Sequence, residues 1–114
     1  MTDCIFCKII KGEIPAQIVY QDEKIIAFND RHPRAPIHQL IVPKKHIATL
    51  NDLTESETLL VGNMLQTARL LAAKADIARS GYRTVFNCNK EGGQEVFHLH
   101  LHLLGGRTLN WPPG

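Results

Sequence analysis

Apolar and polar positions along the chain switch between helical and strand periods. Over residues 4–11 the apolar side chains Ile5, Phe6, Ile9 and Ile10 mark one face of a short helix, which Gly12 stops. Pro15 forces an extended entry to the first strand. Ile18-Val19-Tyr20 and Lys24 to Asn29 read as two strands around a Gln-Asp-Glu turn, and His38 to Val42 as a third, ended by Pro43. Thr54-Glu55-Ser56-Glu57 is a capping box. Behind it Val61, Met64, Leu65, Ala68, Leu71, Ala72 and Ala75 recur at three and four, predicting one amphipathic helix of about 22–25 residues that stops near Ser80-Gly81. Tyr82 to Asn87 is a fourth strand, Glu91-Gly92-Gly93 a turn, and Val96 to Leu104 a fifth strand. Short strands around one long helix with short links predict an antiparallel α+β fold.

Composition narrows the class. A chain of 114 residues leaves room for one domain, 1–114. With 44% hydrophobic and 21% charged residues it is ordinary globular material. A net charge of +2 is too small to make nucleic acid or an anionic membrane the main partner. No apolar run approaches the ~20 residues of a membrane helix. Met1-Thr2-Asp3-Cys4 carries neither a signal-peptide pattern nor a glycine for myristoylation. Three cysteines make no disulfide framework, so a cytoplasmic protein with reduced thiols is expected.

The chemistry concentrates in His98-Leu99-His100-Leu101-His102-Leu103-Leu104. In a strand the leucines belong on one face, in the core, and the three imidazoles share the other. Two readings stand on the strand alone: a metal site, since neutral imidazole is a common ligand, and phosphate chemistry, with one histidine as nucleophile and its neighbours as donors and proton carriers. Gly92-Gly93-Gln94 just upstream favours the second, because glycines bring backbone N–H groups close to an anion. Asn87 can add an amide N–H to the same oxygen.

The His-φ-His-φ-His-φ-φ run resembles the signature of the histidine triad (HIT) family. The Cys4 to Ile10 segment, Asp30, Ala35-Pro36, His38, Ile41 to His46, Gly92-Gly93-Gln94, Gly105-Gly106-Arg107 and Trp111-Pro112-Pro113-Gly114 all resemble its nucleotide-binding branch of purine nucleoside phosphoramidases. The resemblance implies a HIT-like five-stranded antiparallel sheet with one long and one short helix. It implies hydrolysis of the P–N bond of purine nucleoside 5′-phosphoramidates, and of aminoacyl-adenylates, through a nucleotidyl-histidine intermediate, with no cofactor required for catalysis. His100 falls at the nucleophile. His102 is then the first candidate for general acid and His98 the second, with His38 supporting them. The phosphate falls to Asn87, Gly93, Gln94, Glu95, Val96, His100 and His102, and the purine nucleoside to Ile5, Phe6, Ile9, Phe28, Asn29, Asp30 and Arg31, with Asp30 on the ribose hydroxyls. Animal members carry Ser where this chain has Glu95, so its backbone N–H, not its carboxylate, is expected to face the phosphate.

Some members hold a structural zinc, which the resemblance places on Cys4, Cys7, His38 and His98. Cys4 and Cys7 stand i, i+3 on the first helix, hence on one face. If His98 is a ligand it does not move protons, and His102 becomes the acid. The family forms a homodimer by joining two sheets, with the tail reaching toward the partner's site and Trp111 at the interface. Two other readings compete: a nucleotide-binding or regulatory module with weak turnover, and a zinc-dependent hydrolase with the triad as ligands.

Overall fold

The computed structural model describes residues 3–114; Met1 and Thr2, which belong to the amino-terminal pattern, lie outside the described residues. Helix α1 spans Ile5–Ile10, and strands β1 (Ile18–Gln21), β2 (Ile25–Asn29) and β3 (Ile37–Pro43) come next. Helix α2 spans Thr58–Lys74, and strands β4 (Tyr82–Phe86) and β5 (Leu101–Gly105) complete one sheet. Its order is β1-β2-β3-β5-β4, and every neighbouring pair is antiparallel. β3 and β5, which carry His38 and His102, therefore lie side by side within the sheet.

Both faces of the sheet are covered. On one face Ile25, Ala27, Ile41, Leu101 and Leu103 pack against Met64, Ala68, Leu71 and Ala72 of α2. On the other, Ile26, Phe28, Leu40 and Val42 pack against Phe6 and Ile9 of α1. β2 and β3 are accordingly buried along nearly their whole length. This corrects the expectation that only the leucine face belongs in the core: His98 and His100 are buried as well.

The long helix begins as the capping box predicts. Glu57 accepts from the Thr54 N–H at 2.7 Å, through a single 3₁₀ turn over Glu55–Glu57. It ends earlier than expected, after 17 residues. Asp76 adopts φ 61°, its N–H bonds the Ala73 carbonyl and the Ile77 N–H bonds that of Ala72, which is a Schellman stop. The usual glycine is replaced by Asp, so the sequence carries no visible stop there. Leu65, expected in the apolar stripe, faces outward at 46% exposure.

The fifth strand is also shorter than predicted. Ladder pairing with β3 and β4 begins at Leu101, leaving 96–100 irregular. β4 ends at Phe86, opposite Leu101, so no strand remains on that side. On the other side the His98 imidazole takes the Pro43 carbonyl at 2.8 Å, and the Leu99 N–H turns to Ile47 at 2.6 Å. The segment is held by side chains and single backbone bonds instead of a ladder.

Leu101 is buried on the α2 face between two histidines on the other. Leu101→Ala is expected to lower the unfolding free energy by about 3 kcal/mol. Chemical denaturation checks this; a loss under about 1 kcal/mol would show that this face is not close-packed.

Candidate active site

Cross-strand register brings the first imidazoles together. His38 pairs with Leu104 and His102 with Leu40, so the two histidines are diagonal neighbours on the α1 face. Their Nε2 and Nδ1 atoms are 2.9 Å apart. The Arg34 N–H donates to His38 Nδ1 at 3.0 Å, which places the His38 proton on Nε2. That proton points at His102 Nδ1, so His102 carries its own hydrogen on Nε2. Asp30 Oδ2 lies 3.4 Å from His38 Nε2, a second and longer acceptor for the same hydrogen.

His100 is oriented differently. Its Nδ1–H donates to the His98 carbonyl at 2.7 Å, leaving Nε2 with a bare lone pair. Phe6 packs edge-on against it with ring centroids 5.1 Å apart, and Phe28 packs against Phe6. The His100 and His102 rings are 4.9 Å apart. Burial pushes all four of His38, His98, His100 and His102 below the ordinary histidine pKa. For His102 burial, then the neighbouring His100 and His38, bring it down to about 4. Asp30 pulls His38 the other way, but burial prevails. Near pH 7 the site thus holds neutral imidazoles, one with a free nucleophilic nitrogen.

His98 belongs to another cluster. Fully buried, it donates Nε2–H to Pro43, which frees Nδ1. That Nδ1 lies 3.2 Å from Cys4 Sγ, 3.6 Å from Cys7 Sγ and 3.1 Å from His46 Nδ1, while Cys7 Sγ is 3.4 Å from His46 Nδ1. A tetrahedral zinc with ~2.0–2.1 Å bonds to nitrogen and ~2.3 Å bonds to sulfur has edges of about 3.3 Å between nitrogens and about 3.6 Å from nitrogen to sulfur. The four donors fit that ion. The predicted set is corrected in one member: His46, not His38, groups with Cys4, Cys7 and His98. His38 sits with Asp30 and His102, and its ring nitrogens are committed there. The triad therefore does not converge on one metal, since His98 faces the sulfurs while His100 packs against Phe6 and His102 against His38.

The glycine turn lies beside this. Gly93 has φ 80°, and a Cβ on Gly92 would collide with the Cys88 carbonyl. Asn87 Nδ2 donates to Gly92 O at 2.6 Å, with its second hydrogen still to spend. Gln94, expected on the nucleotide, has a buried side chain that holds the loop instead, donating to Ala48 and Val96 and accepting from the Asn89 N–H. Glu95 and Arg31 are exposed, Val96 is half-buried, and Ile5 lies on the outer side of α1. Asn29 bonds Gln17, and Asp30 Oδ1 accepts from the His32 N–H. Trp111, 80% exposed, lies beside the β4 residue Arg83, whose guanidinium is 5.9 Å from its ring and also binds the Leu109 and Asn110 carbonyls. No bond among the described residues joins it to the triad.

The family model described as "Scavenger mRNA decapping enzyme C-term binding" matches residues 3–109. An uncharacterized HIT-like protein of Synechococcus elongatus is 52% identical over 98% of this chain and 97% of its own length. The purine nucleoside phosphoramidase of Escherichia coli K12 is 49% identical over 94% of this chain and 90% of its own. A HIT family hydrolase from Legionella pneumophila superposes with a TM-score of 0.97 at 55% identity, covering 98% of this chain and all of that one. A histidine triad protein from Clostridium difficile gives 0.93 at 44% identity, covering 96% of each. The chain belongs to the histidine triad family. Within that family it is an enzyme of the hydrolase class.

Burial of His102 has a consequence for stability. Its pKa is lower folded than unfolded, so between the ordinary histidine value and about 4 the unfolded chain binds a proton that the folded chain does not. Stability conferred by the neutral ring is complete above the ordinary value and declines as pH falls toward 4. Each such histidine steepens that decline by at most ~1.4 kcal/mol per pH unit. His102→Asn is expected to flatten the pH dependence of unfolding between about pH 6.5 and 4; an unchanged slope would contradict the buried neutral state.

Proposed function

We propose that the protein hydrolyses the P–N bond of purine nucleoside 5′-phosphoramidates, and of related aminoacyl-adenylates, through a nucleotidyl-His100 intermediate. The observation that carries this is the His100–His98 bond: a neutral, desolvated imidazole held by one nitrogen with the other bare. The named activity of the E. coli relative supports the substrate class.

His100 Nε2 attacks the α-phosphorus and the P–N bond breaks. The phosphate oxygens meet the free Asn87 N–H and the Glu95 N–H, since the expected Gly93 N–H and its neighbour at Gln94 are spent on the Lys90 and Asn89 carbonyls within the turn. The amine departs once protonated. His102 supplies the proton from Nε2: bound phosphate raises its pKa and lets it enter as imidazolium. His38 then turns its Nε2–H from His102 to Asp30. Neutral His102 next takes a proton from the water that displaces the nucleotide from His100. Phe6, Phe28, Ile5 and Ile9 supply apolar walls for the purine, and Asp30 accepts from the ribose hydroxyls.

Cys4, Cys7, His46 and His98 hold a structural zinc whose role is to tie chain segments together. Catalysis needs no metal. The single HIT domain works in the cytoplasm as a homodimer, joined along the β4 edge and α2, where Leu59, Leu70, Tyr82 and Trp111 are exposed.

His100→Ala is expected to cut turnover of adenosine 5′-phosphoramidate by about a thousandfold or more, with nucleotide affinity within about threefold of wild type. Steady-state kinetics with calorimetry checks both; retained turnover overturns the assignment, and wild-type turnover too weak to measure beside tight binding would favour a regulatory module. Metal analysis of the purified protein is expected to find one zinc per chain; less than a tenth of an equivalent would rule out the structural site.

A further inference from the structure

The donor cluster and the nucleotide site share more than proximity. Cys4 is the N-cap of α1 and Cys7 lies in its first turn, so the two sulfurs bracket Ile5 and Phe6. Phe6 touches both the His98 and the His100 rings edge-on, at 5.9 and 5.1 Å. His98 gives its imidazole to the cluster and its carbonyl to His100. His46, next to Ile47, whose carbonyl binds the Leu99 N–H, closes the set. One knot of four side chains thus binds α1, the segment after β3 and the segment before β5, and the reactive imidazole hangs from it.

The knot is not sealed. A depression of about 280 Å³ opens onto it, with Cys4 and His46 among its lining and exposed Asp3, Glu95 and Phe97 around it. Cys7 is itself only partly buried. The two sulfurs lie within 4.8 Å of each other, and the Cys7 N–H already reaches Cys4 Sγ at 3.3 Å. A bridge needs the sulfurs at ~2.05 Å, which side-chain rotation at this i, i+3 spacing can approach.

We propose that Cys4 and Cys7 are an oxidation site that turns off the phosphoramidase, acting through His98 and Phe6 as positioning residues. It rests on the zinc site and the activity proposed above. The step balances with a hydroperoxide as the oxidant. The two thiolates are oxidised to one disulfide and give up two electrons. The hydroperoxide O–O bond breaks, and with two protons it becomes an alcohol, or water, plus water. The cation is released as a divalent ion. The S–S bond leaves α1 whole but unties it from His46 and His98. The His98 carbonyl and Phe6 then lose their fixed places beside His100. Loss of such supporting contacts typically costs about 10–100-fold.

The test uses the zinc-loaded full chain, with hydrogen peroxide as the probe. Zinc release is followed with a chromogenic chelator, disulfide formation by peptide mass mapping, AMP binding by calorimetry and turnover by kinetics. We expect one zinc released per Cys4–Cys7 bridge, kcat down at least about tenfold with weaker AMP binding, and recovery on dithiol reduction with added zinc. Cys88→Ser should respond in the same way, since Cys88 lies outside the cluster. A bridge with zinc loss but unchanged kcat and AMP binding overturns the coupling. A chain that takes up no zinc, or whose Cys4 and Cys7 stay reduced while Cys88 reacts, overturns the site. Should the chain not cleave phosphoramidates at all, the activity proposal fails, while zinc release and AMP binding still decide this one.

Discussion

The hydrogen bond from His100 Nδ1 to the carbonyl of His98 is the contact on which the proposed chemistry depends. It fixes which nitrogen of His100 is bare. It requires residue 98 to be outside the ladder, with its carbonyl free. The structure meets that requirement by gripping residue 98 through its side chain, with Pro43 on one ring nitrogen and the sulfur–imidazole cluster at the other. Fold and site meet at this residue: β5 positions His102 by register, and the irregular segment before it positions His100 by local bonding.

Alternation of protons on successive imidazoles divides the labour. His98 keeps its hydrogen on Nε2 and turns Nδ1 to the sulfurs. His100 does the reverse and leaves Nε2 bare, the nitrogen the proposed mechanism uses. His102, receiving the His38 hydrogen at Nδ1, offers an N–H. Three identical side chains at alternate positions acquire three roles because each meets a different backbone or side-chain partner. Burial favours the neutral form of all three, which suits a nucleophile, and leaves charge to arrive with the substrate. Imidazoles and backbone amides can then hold a phosphate without a basic patch, in keeping with a net charge of only +2.

Much of this is legible in the residues. Hydrophobic period finds both helices, all five strands and the Thr54 cap, and the histidine run with its glycine turn locates the site. The early end of α2 is hidden because Asp76 takes the left-handed position where glycine is the usual sign. The short β5 is hidden because alternation at 96–100 is sustained by side-chain bonds and not by a ladder. The place of His46 in the sulfur–imidazole cluster escapes the sequence for a reason of register. β3 and β5 pair Ile41 with Leu101, so His38 lies near Leu104, at the far end from His98. Running that pairing on by three residues brings His98 opposite Lys44, beside His46. Without the register, either histidine satisfies the donor chemistry. Gln94 looks like a ligand contact in sequence because polarity beside a glycine turn says nothing about which way the side chain points.

The decisive step of the proposed mechanism is formation of a covalent bond between His100 and the nucleotide. Rapid acid quench of the wild-type protein in single turnover with adenosine 5′-phosphoramidate, followed by peptide mass mapping, tests it directly. A transient adenylyl adduct on His100 is predicted. An adduct on His98 or His102, or turnover with no adduct at any time point, would contradict it.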